Sequence, residues 1–270
     1  MLLKLIGLPM KHGLPGILLL LVASSQLAGC VTERTYAGTD TPVTERKFDR
    51  TAAALERSQL GLAYLKKRDS EQAKANLDRA MEYAPELEQV NLAMAYYYES
   101  VGEMQKAEDT YDRAIDTRDA SGDAANNFGV FLCKEAKYEK SERMFLRAIN
   151  NPKYTRTASS YENLGICMRK AGSVDKARQY FGMALKYEPR RRVSLLEMAA
   201  LEEGIGNYSA AKVMLQRYDK VATMSAESLA LAVKIETGLG NTDAAKRNGI
   251  LLLAKFPQSP QAKAYRTNMH

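Results

Sequence analysis

Residues 61–85 read GLAYLKKRDSEQAKANLDRAMEYAP. Small or apolar residues recur in this stretch at the spacing needed by two helices that pack together, at Gly61, Tyr64, Ala73, Leu77, Ala80 and Pro85. The small residues let the two helices approach closely, whereas the bulky ones fill the space between neighbouring pairs. Charged and polar residues at Lys67–Asp69 interrupt the apolar period between them. The stretch therefore predicts two short helices joined by a tight turn.

The same pattern recurs along the chain. Starting at Gly165 it finds Met168, Ala177, Phe181, Ala184 and Pro189, and weaker copies start at Ala95, Gly129, Ala199 and Val233. Successive starts are 34, 34, 36, 34 and 34 residues apart, with the two extra residues near Asn151-Pro152. This period resembles that of the tetratricopeptide repeat, which is 34 residues long. One helix pair cannot bury its apolar face alone, so we expect an all-α, right-handed tetratricopeptide-repeat superhelix of about six helix pairs.

The predicted repeat domain covers residues 53–270. Its repeats are expected near 54–87, 88–121, 122–155, 158–191, 192–225 and 226–259.

The N-terminus has the order of a secretory signal. Lys11 precedes an apolar run from Ile17 to Ala23, and small residues follow. That run is far shorter than the roughly 20 residues of a membrane-spanning helix. Residues 27–30, Leu-Ala-Gly-Cys, resemble the bacterial lipobox, which implies that residues 1–29 are removed and that Cys30 receives the lipid. Met1 and Met10 both remain possible starts, because a more typical leader begins at Met10.

Residues 30–52 are predicted to be the acylated cysteine and a flexible tether. From Val31 the chain is rich in Thr, with Gly38, Pro42 and alternating charges, and it lacks a helical apolar period. Lipoproteins of this kind without aspartate after the acylated cysteine are usually sorted to the outer membrane, and Val31 stands there. The resemblance thus implies an outer-membrane, lipid-anchored protein that faces the periplasm.

Composition gives no indication of catalysis or of nucleic-acid binding. Without the leader the chain carries 37 basic and 32 acidic residues with both signs mixed, a mild bias. The basic stretch at 190–192 suits the end of a helix, where cations are favoured. No catalytic motif, phosphate-binding loop or cluster with metal-ligand spacing occurs, and His270 is the only histidine after the leader. We therefore expect a non-enzymatic protein with no cofactor, no metal, no nucleic-acid partner and no small-molecule substrate.

Cys133 and Cys167 lie on first helices of neighbouring repeats, so an oxidising compartment could join them. They stand at different positions in their repeats, and a bridge requires Cα atoms closer than about 7 Å. Two buried thiols are therefore the favoured expectation, with a disulfide as the alternative.

In tetratricopeptide repeats the first helices line the concave face, so residues there that the core does not need are candidates for partner binding. An apolar segment is predicted in repeats one and two, followed by a polar, mixed-charge segment in repeats three and four, which would suit an extended or helical peptide. In repeat one, Leu60 and Tyr64 are assigned to the core. Covering of the apolar face by the tether or by a crossing segment is the alternative to docking. The candidate binding residues are Leu55, Leu62, Leu65, Leu92, Tyr96, Asn126, Val130, Glu162, Ile166 and Arg169.

The lipobox, the tether and six repeats together resemble the type IV pilus biogenesis and stability lipoproteins, the pilotin (PilF/PilW) group. Residues 126–133, Asn-Asn-Phe-Gly-Val-Phe-Leu-Cys, and 162–165, Glu-Asn-Leu-Gly, with Cys167, look especially like the central repeats of that group. The resemblance implies a protein-binding scaffold that brings secretin subunits to the outer membrane and promotes their multimerisation. The alternative is a periplasmic adaptor lipoprotein that docks peptidoglycan enzymes or proteases.

Overall fold

The structure is a computed structural model that describes residues 48–116 and 120–267. Within these residues all regular structure is helical, and those from Asp49 onward form one compact unit. Thirteen helices follow one another in the described part of the chain: α1 Arg50–Lys66, α2 Ser70–Tyr83, α3 Glu88–Ser100, α4 Met104–Ile115, α5 Gly122–Lys134, α6 Tyr138–Ile149, α7 Thr157–Lys170, α8 Val174–Tyr187, α9 Arg192–Gly204, α10 Tyr208–Asp219, α11 Ala226–Gly238, α12 Thr242–Lys255 and α13 Pro260–Thr267. None of them is long and apolar enough to cross a bilayer. The predicted signal, Cys30 and most of the tether lie outside the described residues.

The predicted fold class, an all-α tetratricopeptide-repeat superhelix, is confirmed. Each of the six predicted repeat ranges holds two helices that pack chiefly against each other, and α13 follows the last pair. The first helix begins at Arg50, before the predicted start of the domain, because the Asp49 carboxylate accepts a hydrogen bond from the Ala52 N–H at 3.0 Å. Such an N-cap satisfies one of the unpaired amides of the first turn.

The small residues of the repeat pattern stand where helices pack closely. Ala73, Ala177 and Ala184 are completely buried. A Cβ atom added at Gly61 would lie 2.6 Å from Cγ of Leu77, which is closer than carbon atoms pack in proteins. The spacing in the sequence therefore reflects direct contact between the two helices of a pair.

Neighbouring repeats are also joined by ion pairs between their second helices. On α4, the Glu108 carboxylate accepts hydrogen bonds from Lys137 and Lys140 of the next repeat. Burial by itself would raise the pKa of Glu108, but the two ammonium groups lower it below its ordinary value. On α6, Glu142 is held in the same way by Lys176 at 2.7 Å. These contacts fix the second helices of successive repeats against each other.

The expectation that Cys133 and Cys167 stay reduced was wrong, because a disulfide joins them with Cα atoms 5.7 Å apart. Cys133 is four residues after Gly129, whereas Cys167 is only two after Gly165, so the sequence argument placed them at unequal heights. The adjacent first helices α5 and α7 are in fact staggered by this amount. Asn126, three residues before Gly129, likewise accepts a hydrogen bond from the hydroxyl of Ser160, five before Gly165. A shift of two residues moves a helix by about 3 Å, which brings the two cysteines level.

Candidate protein-binding groove

The first helices α1, α3, α5, α7, α9 and α11 pack side by side, each against the next, and we call the surface they share the first-helix face. It has three segments, which differ in how many of their side chains are buried or paired with other residues of the protein. We call them the N-terminal segment on α1 and α3, the central segment on α5 and α7, and the C-terminal segment on α9 and α11.

The N-terminal segment is apolar and partly open. Leu55 and Leu92 are half-buried, and the Tyr96 side chain is 47% exposed. Leu62 and Leu65 are also half-buried, but they pack against the core cluster that contains Leu77 and Met94. They are therefore part of the core as well as of the surface, contrary to the expectation that the core does not need them.

Leu60 was wrongly assigned to the core, since it is 42% exposed. The repeat pattern places an apolar residue here to fill the space against a preceding repeat, and α1 is the first helix of the described chain. Tyr64 does pack against the core, as expected.

The central segment is closed by its own hydrogen bonds. Asn126 and Glu162, both predicted to contact a partner, are each only 9% exposed. Asn126 Oδ1 accepts from the Ser160 hydroxyl at 2.8 Å, and Glu162 accepts from Ser194 and from Arg191 at 2.7 Å. The interpretation of these two residues as free polar groups was wrong, because sequence position does not indicate which polar side chain meets a partner on the next helix.

The remaining predicted residues of the central segment are only partly available. Val130 and Ile166 are half-buried and pack against the core cluster around the disulfide. Arg169 is exposed but pairs with Glu197 of α9, with 2.9 Å between Nε and Oε2. Burial raises the pKa of Glu197, Arg169 opposes this shift, and the charge of Glu227 adds to it. Most of the candidate side chains of the central segment are thus occupied by contacts within the protein, which leaves few of them for a partner.

The C-terminal segment contains an open groove that the sequence analysis did not single out. The groove has a volume of about 810 Å³ and lies between α9, α11 and α13. Three of its lining residues, Leu196, Ala200 and Glu203, occupy the same repeat positions on α9 as the candidate residues Glu162, Ile166 and Arg169 on α7. The signal was therefore present in the sequence. No binding residues were predicted on α9 because the last two copies of the repeat match the pattern less well.

Comparison with known proteins agrees with this architecture. Residues 44–234 match a protein-family model described as the pre-mRNA-splicing factor Syf1/CRNKL1 C-terminal HAT repeat. Over 234 residues, 86% of this chain and 90% of the relative, the sequence is 28% identical to the type IV pilus assembly protein PilF of Pseudomonas aeruginosa.

Solved structures give the same result. The structure of Pseudomonas aeruginosa PilF superposes with a TM-score of 0.70 at 26% identity, covering 81% of this chain and 99% of that one. The crystal structure of PilW, a widely conserved type IV pilus biogenesis factor, gives a TM-score of 0.69 at 28% identity and covers 78% and 97% of the two chains.

Proposed function

We propose that this chain, which belongs to the HAT-type helical-repeat family and is a type IV pilus biogenesis protein of the tetratricopeptide-repeat kind, acts as a pilotin. Its work is to bind subunits of the outer-membrane secretin and to promote their localisation and multimerisation. The activity is binding rather than catalysis. The observation that carries the proposal is the unbroken row of first helices with an open apolar stretch at its N-terminal end.

The N-terminal segment suits a protein ligand because its apolar side chains are already held in place. Leu55 and Leu92 are half-buried before any partner binds, and Tyr96, four residues after Leu92 on α3, provides a large, exposed ring. Preorganised aromatic and aliphatic anchors of this kind contribute most of the affinity of protein interfaces. The partner segment is therefore expected to be apolar and to lie across α1 and α3.

The site of action in this proposal is the periplasmic face of the outer membrane. Cys30 supplies the lipid, and the residues up to the start of α1 form the tether. Several acyl chains hold a protein to a bilayer far better than one, because each buried methylene contributes about 0.8 kcal/mol. Metabolic labelling with a palmitate analogue tests this anchor. Cys30→Ser should lose the label and leave the outer-membrane fraction, whereas an undiminished label would exclude Cys30 as the lipid site.

The partner is tested by crosslinking in intact cells. A photo-reactive amino acid is placed at Tyr96, and in a matched control at Ala75, which is exposed on the second helix α2. Mass spectrometry of the crosslinked species should identify the secretin subunit with the probe at position 96 and not at 75. Recovery of a peptidoglycan enzyme or a protease at position 96, without the secretin, would instead support the adaptor function.

A further inference from the structure

The groove of the C-terminal segment differs from the rest of the first-helix face because its carboxylates form no ion pairs with other described residues of the protein. On α3, α7 and α9, the carboxylates of Glu99, Glu162 and Glu197 each pair with a cation outside their own helix. Within residues 48–116 and 120–267, by contrast, no ion-pair partner stands beside the groove residues Glu203 and Glu227. Glu227 is exposed and Glu203 is half-buried, so both carboxylates are accessible to a ligand.

The repeat positions show how this difference arises. Glu99 is the last residue but one of α3 and pairs with Lys134. The equivalent positions of the next two repeats hold the disulfide-bonded Cys133 and the paired Arg169. The next equivalent position is Glu203, which is only half-buried and borders the groove. The series of internal contacts ends there. Because no cation within residues 48–116 and 120–267 pairs with Glu203, the carboxylate can pair with a cationic group of a partner.

The floor of the groove is apolar. Leu196, Leu231, Leu252 and Tyr265 are among its lining residues, and Leu252 is completely buried. The side formed by α13 includes the exposed Ala264. A concave site with an apolar floor and a few placed polar groups is the usual form of a ligand site. The volume of about 810 Å³ accommodates several side chains of a peptide.

The charged residues that line the groove, which we call its rim, determine which ligand charge is favoured. Glu203 and Glu227 provide two carboxylates, and Lys234, two helical turns after Glu227 on α11, provides the one ammonium group among the lining residues. The charge of Glu227 also contributes to the raised pKa of Glu197 on the neighbouring helix, which is a sign of negative potential on this side. The chain as a whole is basic, with a formal net charge of +7, so the charge of this acidic rim is opposite in sign to that of the whole chain.

We propose that the groove lined by α9, α11 and α13 is a second protein-docking surface, which takes a segment that carries lysine or arginine interleaved with leucine-like side chains. The apolar side chains enter the groove over Leu231 and Tyr265, and the cationic ones pair with Glu203 and Glu227. This surface is separated from the N-terminal segment by the closed central segment. A partner here is therefore held independently of the one bound at α1 and α3.

The test uses fluorescein-labelled peptides and the chain without its predicted signal, residues 1–29. One dodecapeptide repeats Gly-Leu-Lys-Ser, and its match has glutamate in place of each lysine. We expect the lysine peptide to bind the wild-type protein, and the glutamate peptide to bind at least about tenfold more weakly because of charge mismatch. The double variant Glu203→Gln/Glu227→Gln should reduce binding of the lysine peptide by about tenfold or more. Ala264→Lys, a change at an exposed position of α13, should reduce it as well.

The control is Glu56→Gln/Glu71→Gln, which makes the same change of charge at exposed positions of α1 and α2. It should leave peptide binding unchanged, and thermal melts of all variants should match the wild type. The proposal is overturned if the lysine peptide does not bind, or if the control weakens binding as much as the groove variant. It is also overturned if sedimentation shows a dimer that Glu203→Gln/Glu227→Gln dissociates, because the occupant is then a second copy of this chain.

Discussion

The carboxylate of Glu162 on α7 accepts two hydrogen bonds from Ser194 on α9, one from the backbone N–H at 3.0 Å and one from the hydroxyl at 2.7 Å. Arg191 donates to the other carboxylate oxygen at 2.7 Å. Burial would raise the pKa of Glu162, but these donors lower it below its ordinary value. One side chain therefore connects the fourth repeat to the fifth, and its contacts favour the ionised form.

The first prediction concerns the pH dependence of stability. Because the folded-state pKa of Glu162 is lowered, its contribution is complete above the ordinary carboxyl pKa and is lost as the pH falls through the folded value. Glu162→Gln should destabilise the protein by about 1 to 3 kcal/mol at pH 7. It should also flatten the loss of melting temperature below about pH 5. Glu139→Gln, at an exposed position of α6, serves as control. Parallel acid profiles for wild type and Glu162→Gln would contradict the assignment.

A second prediction concerns the helix crossing in repeat four. Ala177 is completely buried and belongs to the core cluster that contains Phe181. A larger side chain there must displace its neighbours, so Ala177→Leu should lower the free energy of unfolding by about 1 to 3 kcal/mol. Ala75→Leu makes the same change at an exposed position of α2 and should have little effect on the melt. Equal melting temperatures for the two variants would show that Ala177 is not at a tight crossing.

A third prediction concerns the disulfide. The bridge between Cys133 and Cys167 closes a loop with a sequence separation of 34 residues. Its loss should destabilise the protein by about 2 to 4 kcal/mol, because the reduced unfolded chain has more conformational freedom. The double variant Cys133→Ala/Cys167→Ala should thus unfold at lower denaturant concentration than the oxidised protein. Reductant should shift the wild type in the same direction and leave the variant unchanged. A wild type indifferent to reductant would argue against the bridge.

The fourth prediction separates binding from folding in the N-terminal segment. Leu62 and Leu65 contribute to the core, so changing them affects both properties. Leu55 and Tyr96 are more open, and Leu55→Ser/Tyr96→Ser should weaken secretin binding at least tenfold, since each apolar anchor contributes roughly 1.5 to 3 kcal/mol. The measurement is co-purification with the secretin, accompanied by circular dichroism. Leu60→Ser, at a position of α1 that is 42% exposed, is the matched control and should bind normally. Intact secretin binding by the double variant would place the docking surface elsewhere.

The sequence by itself determined the repeat architecture. Gly61, Ala73 and Ala80 stand where two helices touch, and a contact this close tolerates only small side chains, so the requirement appears directly as a residue type at a fixed spacing. The same spacing of small residues predicts the helix pairs of the second to the sixth repeats. Such contacts are local, since both helices of a pair lie within one repeat of the chain.

Only the tertiary structure decided which polar and sulfur-containing residues face each other between repeats. The two-residue stagger between α5 and α7 joins Cys133 to Cys167 and Asn126 to Ser160, and no local pattern encodes that stagger. It is set by the packing of whole helices across repeat boundaries. For the same reason Glu162 is part of the interior although its position in the repeat resembles a surface one. Glu203, at the repeat position equivalent to Arg169, has no ion-pair partner within residues 48–116 and 120–267 and borders the groove.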